Sequence, residues 1–189
     1  TIRNKNSSRF GKWIQMSFCG ETHKLSGATF ENFMLEKTRV IHHQENERSY
    51  HIFYQLCHDE QLRQELELLE PKDYRYLNQS KKSVGGPSIG NDIEEFATVK
   101  NALDELEFPK EEQEAIFRII AGILNLGNAD FQDKEMDSGV TGSEMTGNPQ
   151  WIAYAADAFR VDKDKLLGAL SFRTVAARGE EHSVSLDGK

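Results

Sequence analysis

Apolar and polar residues alternate along two neighbouring segments near the start of the chain. Residues 12–18 read Lys-Trp-Ile-Gln-Met-Ser-Phe, and their period near two is typical of a β-strand. A turn at residues 20–23 separates them from a second extended stretch at residues 25–33. The two segments predict an antiparallel hairpin. We expect the polar loop before it, residues 3–12, to lie at the entrance to this hairpin.

Most of the remaining chain has the periodicity of helices, in which apolar residues recur every three or four positions. One predicted helical face comprises Tyr50, Phe53, Tyr54 and Cys57. Residues 59–69 predict an amphipathic helix or a pair of turns that ends at Pro71. Other helices are predicted over residues 92–107, 110–126, 151–159 and 161–170. The predicted buried stripe of the 92–107 helix comprises Ile93, Phe96, Val99, Leu103 and Leu106.

Three polar segments interrupt this helical pattern. Residues 81–91 and 132–149 are rich in residues that favour turns and predict surface loops. Residues 171–189 predict a polar extended hairpin with charged residues at its exposed end. These segments are candidates for contact with other molecules, although a solvated connection remains the alternative.

Composition indicates a globular protein. The chain has 189 residues, of which 38% are hydrophobic and 10% aromatic, enough for one domain with a real core. No apolar run approaches the length of a membrane span, and no signal-peptide pattern occurs. Two unpatterned cysteines favour a reducing compartment. We therefore expect a soluble, cytoplasmic protein with no membrane or nucleic-acid signal.

The loop at residues 3–12 differs in charge from the rest of the chain. It holds four cationic residues, whereas the first acidic residue is Glu21 and the net charge of the chain is -8. A local positive field in an acidic protein suggests an anionic ligand. Serine hydroxyls suit Mg²⁺, asparagine amides can donate to phosphate oxygens, and Arg9 can hold an anion bidentately. On residue types alone, a Ser/Asn-rich surface turn remains open as the alternative.

The loop resembles a known sequence. Asn-Lys-Asn-Ser-Ser-Arg-Phe-Gly-Lys at residues 4–12 matches every fixed position of N-x-N-S-S-R-F-G-K, the switch I pattern of the myosin motor domain. Kinesins carry a related N-x-x-S-S-R loop that continues with Ser-His, whereas this chain continues with Phe10-Gly11. Four further stretches resemble myosin landmarks in order: residues 35–40, 47–56, 74–80 and 116–128.

The resemblance implies a fold and a division of the chain. The expected class is α/β, a mostly helical fragment with a β-hairpin of the central transducer sheet of a P-loop NTPase-type motor. Residues 1–33 would supply switch I and the sheet hairpin. Residues 34–189 would supply the helical upper part of the actin-binding cleft.

The resemblance also assigns roles in the binding and hydrolysis of ATP with Mg²⁺. It implies that Ser8 binds Mg²⁺, that Asn4 and Ser7 contact the nucleotide, and that Ser7 and Arg9 serve catalysis. Arg9 would pair with the Glu of switch II. The family's G-x-x-x-x-G-K-[ST] and D-x-x-G-F-E strings do not occur in the sequence, so we expect the chain alone not to hydrolyse ATP.

The resemblance implies an actin filament as partner. The resemblance aligns the hairpin at residues 171–189 with the loop of the myosin motor domain that faces actin. The candidate contacts are Arg173, Arg178, Glu180 and Glu181. Light chains or calmodulin are expected only through a lever arm outside this sequence. Two alternatives stay open: a kinesin-like nucleotide switch, and a catalytically silent helical binding module.

Overall fold

The computed structural model describes residues 8–45, 47–80, 92–135, 141–177 and 180–186. The predicted loop at residues 81–91 lies outside them. The strands form three antiparallel pairs: β1 Gly11–Phe18 with β2 Leu25–Phe33, β3 Asp130–Glu135 with β4 Thr141–Thr146, and β5 Phe172–Ala177 with β6 Glu180–Ser185. The helices are α1 Thr38–Ile41, α2 His51–His58, α3 Glu60–Glu65, α4 Asp92–Glu105, α5 Lys110–Gly127, α6 Gln150–Phe159 and α7 Lys163–Ser171, with a 3-10 turn at Pro71–Asp73.

The hydrophobic core lies among α2, α4, α5 and the segment around the 3-10 turn. The face predicted for α2 is confirmed, since Phe53, Tyr54 and Cys57 are buried and Tyr50 packs against them partly buried. The rings of Phe96 on α4 and Phe117 on α5 meet edge to face with 5.2 Å between centroids. The helical part of the described chain therefore has a continuous core of its own.

The predicted stripe of α4 is wrong at its two ends. Phe96 is buried, and Val99 and Leu103 pack against the core, but Ile93 and Leu106 are exposed. The helix ends at Glu105, so Leu106 lies beyond its last turn. Helical spacing predicts a face, but only the positions that reach a neighbouring element become buried.

The β1–β2 hairpin confirms the strands expected near the start of the chain. Its register runs from Gly11 opposite Phe33 to Ser17 opposite Gly27, with an irregularity before Phe18. Apolar side chains are exposed along it, and Trp13 and Phe30 are 62% and 64% exposed. The mixed helix and antiparallel strand content agrees with the coarse fold expectation.

The predicted loop at residues 132–149 is wrong where the structure describes it, because residues 132–135 and 141–146 form strands. β3 and β4 pair from Asp130 opposite Thr146 to Glu135 opposite Thr141. The strands are largely polar, and an ion pair between Lys134 and Glu144 links them at 2.6 Å.

The predicted hairpin near the end of the chain is confirmed by the β5–β6 pairing. Within the described ranges, none of the helices has the length and apolarity needed to cross a bilayer.

Candidate functional site

The described part of the loop runs from Ser8 into β1. Asn4 and Ser7 lie outside the described residues. Ser8 is exposed and Arg9 is half-buried. Gly11 opens β1 opposite Phe33, and a Cβ at Gly11 would lie only 2.7 Å from Cε1 of the Phe33 ring. Because glycine has no side chain, the backbone at Gly11 can pack directly against the Phe33 ring of β2.

Arg9 faces two carboxylates of its own chain. Its Nη1 lies 3.5 Å from Oε2 of Glu36, and its Nη2 lies 3.9 Å from Oε1 of Glu47. The backbone N–H of Glu36 also donates to the carbonyl of Arg9 at 2.9 Å. Sequence reasoning assigned Arg9 a partner outside this chain, whereas the structure adds two partners within it.

A second arginine completes the cluster. Nε of Arg39 donates to Oε2 of Glu36 at 3.1 Å, and its Nη2 donates to Oε2 of Glu47 at 3.0 Å. Arg9, Glu36, Arg39 and Glu47 therefore form a closed arrangement of alternating sign, which we name the four-charge ring. Each carboxylate contacts both guanidinium groups, so no charge in the ring lacks an opposite neighbour.

Arg39 is the buried corner of the four-charge ring. Burial lowers the pKa of Arg39, but its hydrogen bonds to Glu36 and Glu47 and their negative charges outweigh burial, and the pKa is raised overall. The guanidinium therefore stays charged. Its Nη1 also donates to the carbonyl of Arg48 at 3.1 Å, so the ring is bonded to the backbone before α2.

The segment that carries the ring is fixed to the helical core. The hydroxyl of Tyr50 donates to the carbonyl of Glu36 at 2.9 Å, and burial together with the charge of Glu36 raises the pKa of Tyr50. Arg48 donates twice to the Asp92 carboxylate, at 3.2 and 2.8 Å, and stacks over the Tyr54 ring at 3.9 Å. The position of Glu47 therefore depends on α2 and on the start of α4.

This arrangement defines what the loop end can do chemically. The four-charge ring holds the carboxyl side of the loop, while Ser8, just before it, is an exposed residue. A hydroxyl oxygen can bind a hard cation or accept a hydrogen bond. The contacts of Arg9 at 3.5 and 3.9 Å are longer than strong charge-assisted hydrogen bonds. Arg9 therefore retains capacity to bind a further anion.

The candidate partner surface is described only in part. Arg173 is an exposed residue of β5 and pairs with Val184 of β6. Glu180 and Glu181 lie on β6 opposite Ala177 and Ala176. Arg178 lies outside the described residues. The backbone of this hairpin is thus in place for three of the four predicted contact residues.

Comparison with known proteins identifies the class. Residues 1–188 match a motor-domain family, so the chain is a segment of a motor domain. The family is described as myosin head (motor domain), and the chain belongs to it.

The sequences of individual relatives support the same family assignment. The Myosin-I heavy chain of Dictyostelium discoideum is 42% identical over 188 residues, which are 98% of this chain and 8% of that protein. Myosin-8 of Arabidopsis thaliana is 38% identical over 191 residues, covering 99% of this chain and 12% of its own length. Myosin-3 of Arabidopsis thaliana is 50% identical over 134 residues, covering 69% and 11%. The chain therefore spans 8–12% of the length of these relatives.

The sequence pointed to the loop but not to the four-charge ring. Glu36, Arg39 and Glu47 fall within stretches that were used only as family landmarks. These stretches contain one arginine and two glutamates of the ring, whereas Arg9 belongs to the loop itself. Charge alone did not indicate which of many surface residues would pair.

Proposed function

We propose that this chain supplies the switch I loop of an actin-activated, ATP-driven myosin motor of the cytoplasmic actin cytoskeleton. The observation that carries the proposal is the placement of the loop end: Ser8 is exposed, and the adjacent Arg9 is held by two carboxylates at the entrance to β1. Family membership supports the proposal and sets aside the kinesin-like alternative.

The proposed residue roles come from the family resemblance and are compatible with the chemistry of the loop. Mg²⁺ binds through one or two protein oxygens and completes its shell with water and phosphate oxygens. The exposed Ser8 hydroxyl fits the place of one such ligand. Asn4 and Ser7 would contact the nucleotide, and Ser7 with Arg9 would help to position the attacking water. Bound Mg²⁺ neutralises charge on the transferring phosphoryl group, and such reactions depend mainly on positioning and electrostatic stabilisation.

The β5–β6 hairpin is proposed as part of the actin-binding surface. Its exposed cationic side chain, Arg173, and the acidic positions Glu180 and Glu181 lie on a two-stranded extension. Charged residues at the edge of an interface chiefly raise the rate of association. Arg178 is assigned to this surface by the family resemblance alone.

Replacement of Ser8 tests the nucleotide proposal. In the complete motor that contains this chain, Ser8→Ala should lower the rate of Mg-ATP hydrolysis by about 100-fold, the effect of removing one preorganised electrostatic contact. Steady-state and single-turnover ATPase assays measure this rate. The matched control is Ser17→Ala, an exposed serine on β1, which should hydrolyse ATP normally. Normal turnover by Ser8→Ala would reject the assignment.

A further inference from the structure

We propose that Glu36 and Glu47 are positioning residues for Arg9, and that buried Arg39 holds both carboxylates in place for this purpose. The inference rests on the proposed role of the loop in ATP hydrolysis. It concerns residues within this chain and assigns them an effect on the hydrolysis step through the guanidinium of Arg9.

Each carboxylate of the four-charge ring contacts both arginines. Oε2 of Glu36 lies 3.1 Å from Nε of Arg39 and 3.5 Å from Nη1 of Arg9. Glu47 divides its two oxygens, with Oε2 at 3.0 Å from Nη2 of Arg39 and Oε1 at 3.9 Å from Nη2 of Arg9. The same two carboxylates therefore determine where both guanidinium groups lie.

The two arginines are held unequally. Arg39 has a side chain only 8% exposed and contacts both carboxylates at hydrogen-bonding distance. Arg9 has a side chain 27% exposed, and its contacts to the same carboxylates are longer. Ion-pair strength falls with distance and with exposure to water. The guanidinium group of Arg39 is thus the more firmly held of the two. The guanidinium group of Arg9 is the one that can bind another anion.

Arg39 is bonded to residues that are themselves held by the helices. The Ser49 hydroxyl donates to the carbonyl of Arg39 at 3.0 Å, and Arg39 itself donates to the carbonyl of Arg48. Arg48 is in turn held by Asp92 at the start of α4. Groups held by packed helices position a side chain more accurately than groups on a free loop.

The backbone bond between Glu36 and Arg9 extends this effect to the loop itself. Because the Glu36 N–H donates to the Arg9 carbonyl at 2.9 Å, the loop end is held by a main-chain contact as well as by charge. A substitution at Glu47 leaves this bond in place and removes one of the two carboxylates that contact Arg9 and Arg39. Glu47 is therefore the better position at which to test positioning.

The experiment is a double-mutant cycle in the complete motor. Glu47→Gln, Arg9→Gln and the double variant are compared by single-turnover ATP hydrolysis and by the dissociation constant for ATP. Glu47→Gln keeps the shape of the side chain and removes its charge. The matched control is Glu45→Gln, an exposed glutamate of the same segment, which should behave as the unmodified motor.

We expect Glu47→Gln to slow hydrolysis by about 10-fold, the size typical of an outer residue that orients a functional group. The dissociation constant for ATP should change by less than about 2-fold, because the effect is on the hydrolysis step. Added to Arg9→Gln, the substitution should have no further effect, since the residue through which it acts is already lost. Glu47→Asp, which retains the charge, should recover part of the rate.

Three outcomes would overturn the inference. Hydrolysis by Glu47→Gln at the unmodified rate would show that this carboxylate does not position Arg9. An effect that multiplies fully with that of Arg9→Gln would show that Glu47 acts independently, as a structural residue. An unaltered rate in Arg9→Gln would reject the proposed role of Arg9 itself, so the failure of the proposed function is distinguishable from failure of the inference.

Discussion

Arg39 illustrates how a buried charge can be retained. Its guanidinium is largely removed from water, which is costly for an isolated ion, but it is neutralised by Glu36 and Glu47 and bonded to the carbonyl of Arg48. Three of its nitrogens donate in different directions. Lysine has a single ammonium group and cannot reproduce this geometry.

We therefore expect Arg39→Lys to destabilise the ring even though charge is conserved. Lost charge-assisted hydrogen bonds should lower the local free energy of opening by about 2 kcal/mol. Hydrogen exchange at the amides around α1 measures this change in the complete motor. Arg63→Lys, at an exposed position of α3, is the control and should exchange normally. Equal protection in both variants would contradict the role given to Arg39.

Single residues also show the limit of sequence reasoning at the site. Candidate roles for Ser8 and Arg9 could be proposed because hydroxyl, amide and guanidinium groups occur together in one short loop, and these roles stay predictions. The pairing of Arg9 with Glu36 and Glu47 could not be predicted, because these residues are distant in sequence and meet only in the folded chain. Local patterns do not report such contacts.

At the scale of elements, predictions succeeded where one strong signal dominated. Alternating residues identified β1, and apolar spacing identified the buried face of α2. β3 and β4 were missed because turn-forming residues and charges concealed a polar hairpin. Strand formation there depends on cross-strand pairing, which the composition of either strand alone does not predict.

The β5–β6 hairpin carries a prediction of its own. Arg173→Ala should raise the actin concentration needed for half-maximal ATPase activation several-fold at low salt, and the difference should shrink at high salt as charges are screened. Steady-state ATPase against actin concentration, at two ionic strengths, measures both effects. Arg63→Ala removes an exposed charge from α3 and should leave the activation curve unchanged. Identical activation curves for Arg173→Ala and the unmodified motor would contradict the proposal that Arg173 contributes to actin binding.

At the scale of the whole molecule, the four-charge ring lies between two regions of different character. The helical region buries aromatic and aliphatic side chains in a core of its own, whereas the β1–β2 hairpin exposes Trp13, Met16 and Phe30. Arg9 lies two residues before this hairpin, and Glu36 and Glu47 precede α1 and α2. The loop end is thus paired with residues on either side of α1 and is continuous with the strands.

The most direct test of the central proposal is a change of metal preference at Ser8. Sulfur binds Mn²⁺ and Co²⁺ better than it binds Mg²⁺, which prefers oxygen. In the complete motor, Ser8→Cys should lose about 100-fold in single-turnover hydrolysis with Mg²⁺ and recover much of the loss with Mn²⁺ or Co²⁺. Ser17→Cys should match the unmodified motor with each metal. Normal hydrolysis by Ser8→Cys with Mg²⁺, or equal impairment with all three metals, would contradict the proposal that Ser8 binds the metal.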